Sequence, residues 1–364
     1  MEIASGEGAP DSAVFRKEKT VSLSFLEFGE RRGYNRIMNY TIAEISKMAN
    51  VAKSTVSKAL NGQKGVSEAK RQEILKLVGD MNYRPNLAAR ALAKRKTETI
   101  GLVIPADVDY TLSGVYWSVI IASVAEEASK RGYNLLLMTL NKENPLKTLE
   151  DAILKQSADG LIFPSELLTV QEYNMLSASD MPFVIQGRAP FANHCCVDVR
   201  SEDGAFRLTK RLVEKGFRHI GCVTGPDSFL YTQERISGFK KALAESSLDC
   251  DMIIGTLYSE STTKENVRKF LDEHPAIDAL FLAAGGEFAF YVFEVLKERN
   301  VDMGKFGIAV FDECRSFGFL PFPVISGRQP IRQMGAQDAR NLFQLIDKET
   351  PPSLSLFDIE ILES

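Results

Sequence analysis

The sequence predicts an all-helical N-terminal head followed by a larger α/β body of two doubly wound lobes. Three observations point there. Charge is divided along the chain: residues 38–98 hold 12 Lys or Arg against 5 Asp or Glu, a net of +7, whereas residues 99–364 net −11. Over residues 41–81 apolar side chains recur at i, i+3 and i+4, the helical period. From residue 99 onward short apolar runs alternate with amphipathic stretches, the rhythm of parallel strands covered by helices on both faces.

Composition narrows the function classes. The chain has 364 residues, 45% of them hydrophobic and 25% charged, the balance of a water-soluble protein with room for two or three domains. No run approaches the ~18 apolar residues of a membrane-spanning helix. The first 40 residues lack the apolar core of a signal peptide, so a cytoplasmic location is expected. Five cysteines (Cys195, Cys196, Cys222, Cys250 and Cys314) have no paired spacing, which argues for reduced thiols. The three histidines, His194, His219 and His274, do not pair at metal-ligand spacing, so neither a metal nor a cofactor is expected.

In the head, Thr41 with Glu44 three residues later forms a capping box, and Ile42, Ile45, Met48 and Ala49 share one apolar face of the helix it opens. Asn50 follows at a turn, being tolerant of the left-handed conformation. A second helix over 53–60 turns Val56, Ala59 and Leu60 inward. Lys53, Ser54, Ser57, Lys58 and Asn61 lie on its other face. Two short helices joined by a tight turn, the second with small and basic hydrogen-bonding groups outside, describe a helix-turn-helix. Ser67 caps a third helix with the stripe Ile74, Leu77, Val78 and Met81. A short alanine-rich helical pattern over 87–93 ends in Lys94-Arg95-Lys96. It is too short to be stable alone and needs a partner helix or DNA to order it.

In the body, strand-like runs fall at 100–105, 134–140, 160–164, 183–187, 195–199, 219–224, 279–283 and 307–311. Eight such runs exceed one ordinary half and fit two similar lobes. Ligands of such sheets bind beyond the carboxyl ends of the strands, so two facing lobes make a cleft there.

These residues carry a family resemblance. The run TIAEISKMANVAKSTVSKALNGQKGVSEAKRQEILKLVGDMNYRPNLAARALAKRKTETIGLVIP, with TVS-x-x-LNG and Y-x-P-N-x-x-A-R-x-L inside it, resembles the DNA-binding head and hinge of the LacI/GalR transcription regulators. The body resembles the periplasmic-binding-protein-like effector domain of that family through ADGLIFP, VDVRSEDGA, GFRHIGCVTG…ERISGF and AVFDE. The resemblance implies a helix-turn-helix head over 39–84, a hinge helix and linker over 85–97 and an effector-binding and dimerisation domain over 98–364. Residues 1–37 match nothing in the family, and Met38 lies where such regulators normally begin, so the segment 1–38 is expected to be either an over-long start or a disordered extension.

By position, the resemblance places Lys53 and Ser54 on base edges in the major groove. Lys58, where the family commonly has Arg, becomes a base or phosphate contact, without Arg's bidentate fork. Thr55, Ser57 and Asn61 fall mostly on phosphates, and Thr41, Asn86 and Arg90 complete the set expected on DNA. Leu92 matches the hinge leucine that wedges into the minor groove. In the body Arg235 and Asp312 match the family's effector-contacting Arg and Asp, a fork and an acceptor suited to a polyhydroxyl or purine-like ligand. Tyr116, Trp117 and Arg188 are further cleft candidates, and Trp117 suits a core role equally well. Two departures stand out, and the first puts a typical sugar effector in doubt. Gly285-Gly286 stand where the family usually has Asn-Asp, and the chain ends Glu360-Ile361-Leu362-Glu363-Ser364 without the basic residue often found there.

The function implied is a sequence-specific transcriptional repressor that binds a pseudo-palindromic operator as a homodimer and answers to a sugar-like small molecule. No C-terminal heptad run suggests a tetramer. Control by a protein partner, or by no ligand, is the first alternative, since the Gly285-Gly286 departure removes a common effector contact. A solute-binding module is a weaker one, opposed by the basic head. An enzyme would need a Gly-rich phosphate loop, a nucleophile elbow or a His placed with a carboxylate, and none is present.

Overall fold

The structure, a computed structural model, describes residues 40–60, 62–81, 83, 96–105, 115–141, 143–256, 259–286 and 288–363. The chain divides into two compact units, residues 1–90 and 91–364. In the first, Thr41 caps α1 (Ile42–Met48): its Oγ1 accepts from the Glu44 amide at 3.3 Å, and the Glu44 carboxylate accepts from the Thr41 amide at 2.7 Å. Those bonds, the backbone one foremost, hold the Glu44 carboxyl below its usual range. Asn50 adopts φ +48° at the turn into α2 (Lys53–Leu60). Ser67 caps α3 (Glu68–Asp80). Ile45, Ala49, Val56, Ala59, Ile74 and Tyr83 form the small core.

Met48, expected on the buried face, is 59% exposed. The contact with the other helices falls along the Ile45–Ala49 edge of α1, and Met48 lies to its other side. Arg71 of α3 donates to the Gln63 carbonyl at 2.7 Å and the Ala59 carbonyl at 3.4 Å. A cation thus satisfies carbonyls at the negative end of α2 and fixes where that helix stops.

The second unit is two three-layer lobes. The first contains β1 (Thr99–Ile104), α4 (Val115–Lys130), β2 (Asn134–Thr139), α5 (Pro145–Leu154), β3 (Leu161–Pro164), α6 (Val170–Ala178), β4 (Phe183–Gln186) and β5 (Cys196–Val199). The chain then enters the second lobe with α7 (Ser201–Glu214), β6 (Ile220–Thr224), α8 (Leu230–Ala244), β7 (Ile253–Gly255), α9 (Glu260–Glu273), β8 (Ala279–Leu282), α10 (Phe288–Glu298), β9 (Gly307–Val310) and β10 (Ile325–Arg328). It returns through α11 (Ile331–Ile346) and β11 (Leu354–Phe357) to the first lobe, and crosses back as β12 (Glu360–Glu363). The sheet orders are β11-β5-β4-β3-β1-β2 and β12-β10-β9-β8-β6-β7, every pairing parallel except β10 with β12.

The expected two lobes are present, and the eight strand-like runs all contain strands. Four strands carried no legible signal: β7, β10, β11 and β12. Three of them are sheet edges, and all are three or four residues long with polar or half-buried positions, so pairing rather than pattern makes them strands. Three crossings join the lobes, at residues 199–201, 328–331 and 357–360. Two run side by side, the Arg200 amide donating to the Phe357 carbonyl at 2.9 Å.

Helices pack closely where glycine allows it. A Cβ on Gly238 of α8 would lie 2.1 Å from the Glu202 carbonyl oxygen and 2.8 Å from the Phe206 nitrogen of α7. The obstructing atoms are backbone and cannot rotate away. Gly238→Ala is therefore expected to destabilise the body by about 3 kcal/mol, the upper part of the overpacking range, read as a fall in the denaturant midpoint. An unchanged midpoint would mean the two helices separate at little cost.

Asp338 of α11 is fully buried, and neither carboxyl oxygen has a hydrogen-bond partner among the described residues. Burial, and then Asp198, push it well above the usual carboxylate range. Because the folded state holds this proton and the unfolded chain releases it, stability is greatest below the unfolded value and declines as pH rises. Asp338→Asn is expected to raise the unfolding temperature, by more at pH 8 than at pH 5. A gain independent of pH would show that the carboxyl does not titrate with folding.

Candidate functional site

The head offers one surface with the chemistry for a polyanion. Lys53, Ser54 and Lys58 are exposed along α2, and Thr55 and Ser57 are half-buried beside them. Opposite them Val56 and Ala59 anchor the helix in the core. Thr41 stands at the cap of α1, its hydroxyl engaged with Glu44 at 2.9 Å. Asn61, Asn86, Arg90 and Leu92, and with Leu92 the expected hinge helix, lie outside the described residues. No helix among the described residues is long and apolar enough to cross a membrane.

The body holds a cavity of about 480 Å³ between the carboxyl ends of the two sheets, within the range of small-molecule sites. All five cleft candidates, Tyr116, Trp117, Arg188, Arg235 and Asp312, line it. Arg235 of α8 is 6% exposed. Its Nη1 donates to the Ala283 carbonyl at 2.7 Å, and its guanidinium lies 3.6 Å from the Phe311 ring centre and 4.9 Å from that of Tyr231. Its Nε is buried without a hydrogen-bond partner among the described residues. A donor left in that state costs free energy unless an acceptor reaches it. The simple alternative, a mutual ion pair of Arg235 with Asp312, is not what the structure contains. Asp312, just past β9, instead accepts from the Gln329 amide.

Arg188 is committed elsewhere. Its Nε donates to Asp198 at 2.9 Å and its Nη2 to Glu234 at 2.5 Å, so one guanidinium joins a carboxylate of its own lobe to one of the facing lobe. Burial pushes the Asp198 carboxyl up, with Arg188 opposing. Tyr116 and Trp117 open α4. The Tyr116 hydroxyl accepts from the Gln186 amide at 2.6 Å, and burial raises its phenol well above the usual range. Trp117 is 5% exposed and belongs to the central apolar cluster, its ring edge-on to Tyr116 at 5.6 Å. It is at once a core residue and part of the wall.

Sequence reasoning missed several groups on or beside this wall, among them Glu166, Asp198, Gln329 and the Arg188 partner Glu234. Glu166 follows β3 at its carboxyl end, the position that strand polarity marks for ligand contact, two residues past the end of the ADGLIFP segment. It is half-buried, and burial, then Asp198, with Arg235 opposing, push its carboxyl up to about 7. The Gly285-Gly286 departure also has a structural counterpart. Gly285 sits at φ +119°, a conformation that strains a side chain such as Asn, and a Cβ there would lie 3.1 Å from the Asp312 carboxylate.

Comparison with known proteins assigns both units. The family model described as bacterial regulatory proteins, lacI family, matches residues 41–86. The model described as periplasmic binding proteins and sugar binding domain of LacI family matches residues 97–356. Catabolite control protein A of Priestia megaterium is 29% identical over 323 residues, covering 87% of this chain and 95% of that protein. Among solved structures, the Lac repressor dimer bound to operator and the anti-inducer ONPF superposes with a TM-score of 0.75 at 20% identity, over 89% of this chain and 98% of that one. The CelR–cellobiose complex does so with a TM-score of 0.67 at 24% identity, over the same shares. At these identities the two structures speak for the fold.

Proposed function

The chain belongs to the LacI family of bacterial regulatory proteins, and from that premise we propose that it is a transcriptional repressor that reads a pseudo-palindromic DNA operator as a homodimer in the cytoplasm. The observation that carries this reading is the helix-turn-helix whose second helix, anchored by Val56 and Ala59, presents Lys53, Ser54 and Lys58 to solvent. One eight-residue helix reads too few bases to be specific, and a two-fold pair of heads doubles the site. Lys53 and Ser54 read base edges. Lys58, Thr55, Ser57 and Thr41 set the register on phosphates, together with Asn61, Asn86 and Arg90, and Leu92 wedges the operator centre.

The cleft takes the effector, with Arg235 and Asp312 as its polar contacts, Tyr116 and Trp117 as walls and Arg188 as the tie between lobes. The Lac repressor and CelR complexes, whose fold this body shares, carry the anti-inducer ONPF and cellobiose by their descriptions, and the cellobiose favours a sugar-like molecule here. Effector and operator affinities are then linked, each changing the other by the same factor.

Selection of bound duplexes from a random pool, at two salt concentrations and with the full chain, tests the reading. Enrichment of a palindrome together with a steep salt slope is expected. Salt-sensitive binding without an enriched site would reduce the head to a basic patch.

A further inference from the structure

Besides the three crossings, a charged contact joins the two lobes across the cleft itself. Just past β4 the Gly187 amide donates to the Val197 carbonyl at 2.7 Å, which holds the following residue, Arg188, beside β5. There the Arg188 Nε donates to Asp198 at 2.9 Å, so the guanidinium is oriented by its own lobe. Asp198 is fixed in turn, its second oxygen accepting from the Val199 amide at 2.7 Å. The other arm of the fork, Nη2, reaches Glu234 on α8 of the facing lobe at 2.5 Å. All three side chains are largely withdrawn from water, where a charge-assisted hydrogen bond is strong. Glu234 is not among the described residues that line the cavity. The contact has protein groups at both ends, so it forms with or without an effector.

We propose that Arg188 and Glu234 are a clasp that holds the lobes together and keeps the effector-competent form of the cleft populated without help from the ligand. The proposal deepens the reading of the cleft as the effector site and rests on it. Arg188 acts twice. It attracts Glu234, and it stands between that carboxylate and Asp198, which otherwise repel each other. Parting the lobes leaves Arg188 with Asp198 alone and returns Glu234 to water. Arg235 follows Glu234 directly on α8, so the clasp also sets where the Arg235 guanidinium stands against the first lobe. Apparent affinity scales with the fraction of chains in the competent form, so Glu234 raises it as a positioning residue that never touches the effector. The same clasp slows entry, because it must part before a sugar-sized molecule can pass.

Trp117 is the chain's single tryptophan and lines the cavity at 5% exposure, so its quenching by acrylamide reads cleft opening with no effector present. Glu234→Gln keeps an acceptor and removes the charge. Glu234→Ala removes both and suits a helix such as α8. In the full chain the quenching constant is expected to rise about twofold for Gln and about fivefold for Ala, as the open population grows. Glu298→Gln breaks a surface pair with Arg268, between α10 and α9, and is expected to leave quenching unchanged. Quenching at the parent level in both Glu234 variants would overturn the clasp, the lobes then being held without it. An equal rise in all three variants would overturn it too, as general loosening of the body. Neither outcome touches the effector reading, which ligand binding judges by itself, and a cleft that binds no sugar still reports the clasp through Trp117.

Discussion

Arg235→Met is expected to weaken effector binding by about 100-fold, with operator binding in the absence of effector close to that of the parent chain. The magnitude follows from losing one or two hydrogen bonds to a charged donor, each worth about 1.5–3 kcal/mol. Methionine retains an unbranched stem of similar length against Phe311 and Tyr231, so the variant removes the donors with little loss of packing. Arg235→Lys should recover only part of the affinity, because an ammonium replaces the charge without the planar fork. Titration calorimetry with the effector, paired with operator binding by anisotropy, separates the two sites. Undiminished effector affinity in Arg235→Met would remove this residue from the site. Lost operator binding without effector would show that it acts on the fold of the body.

The second large effect belongs to the head. Lys53→Ala is expected to cost about 1–3 kcal/mol per head in specific operator binding and to leave non-specific binding nearly unchanged. Lys53 is exposed at the start of α2, and α2 is held by Val56, Ala59 and the Arg71 contacts at its far end, so the substitution leaves the helix in place. Affinity for the selected palindrome and for a scrambled duplex, each across a salt series, reads the result. An equal loss on both duplexes, with the salt slope reduced by about one per contact, would make Lys53 a phosphate contact instead of a base reader.

Much of the architecture is legible in the chain because it is written in local patterns. The capping box at Thr41 and Glu44, the left-handed turn at Asn50, the cap at Ser67 and, Met48 apart, the apolar stripes of α1 to α3 depend on neighbours within a few residues, and the structure contains them at those positions. The alternation of apolar runs with amphipathic stretches likewise announced two wound lobes, and strand polarity alone predicted where a cleft would open. Arg235 and Asp312 were reached through the segments ERISGF and AVFDE, and both line that cleft.

What the tertiary structure alone decided is of a different kind. β10, β11 and β12 are too short to declare themselves, and become strands only when the returning chain lays them on two sheets formed earlier in the sequence. Glu166 looks like any loop acid until the lobes enclose it and strip its water, which is what moves its carboxyl up to about 7. Arg188 was visible as a strand-end cation, but its choice of Glu234, 46 residues away on the facing lobe, depends on how the lobes close. Periodicity and capping are short-range and survive in one dimension. Desolvation and the pairing of distant charges exist only once the chain has folded back on itself, and the chemistry of this cleft is made of those two.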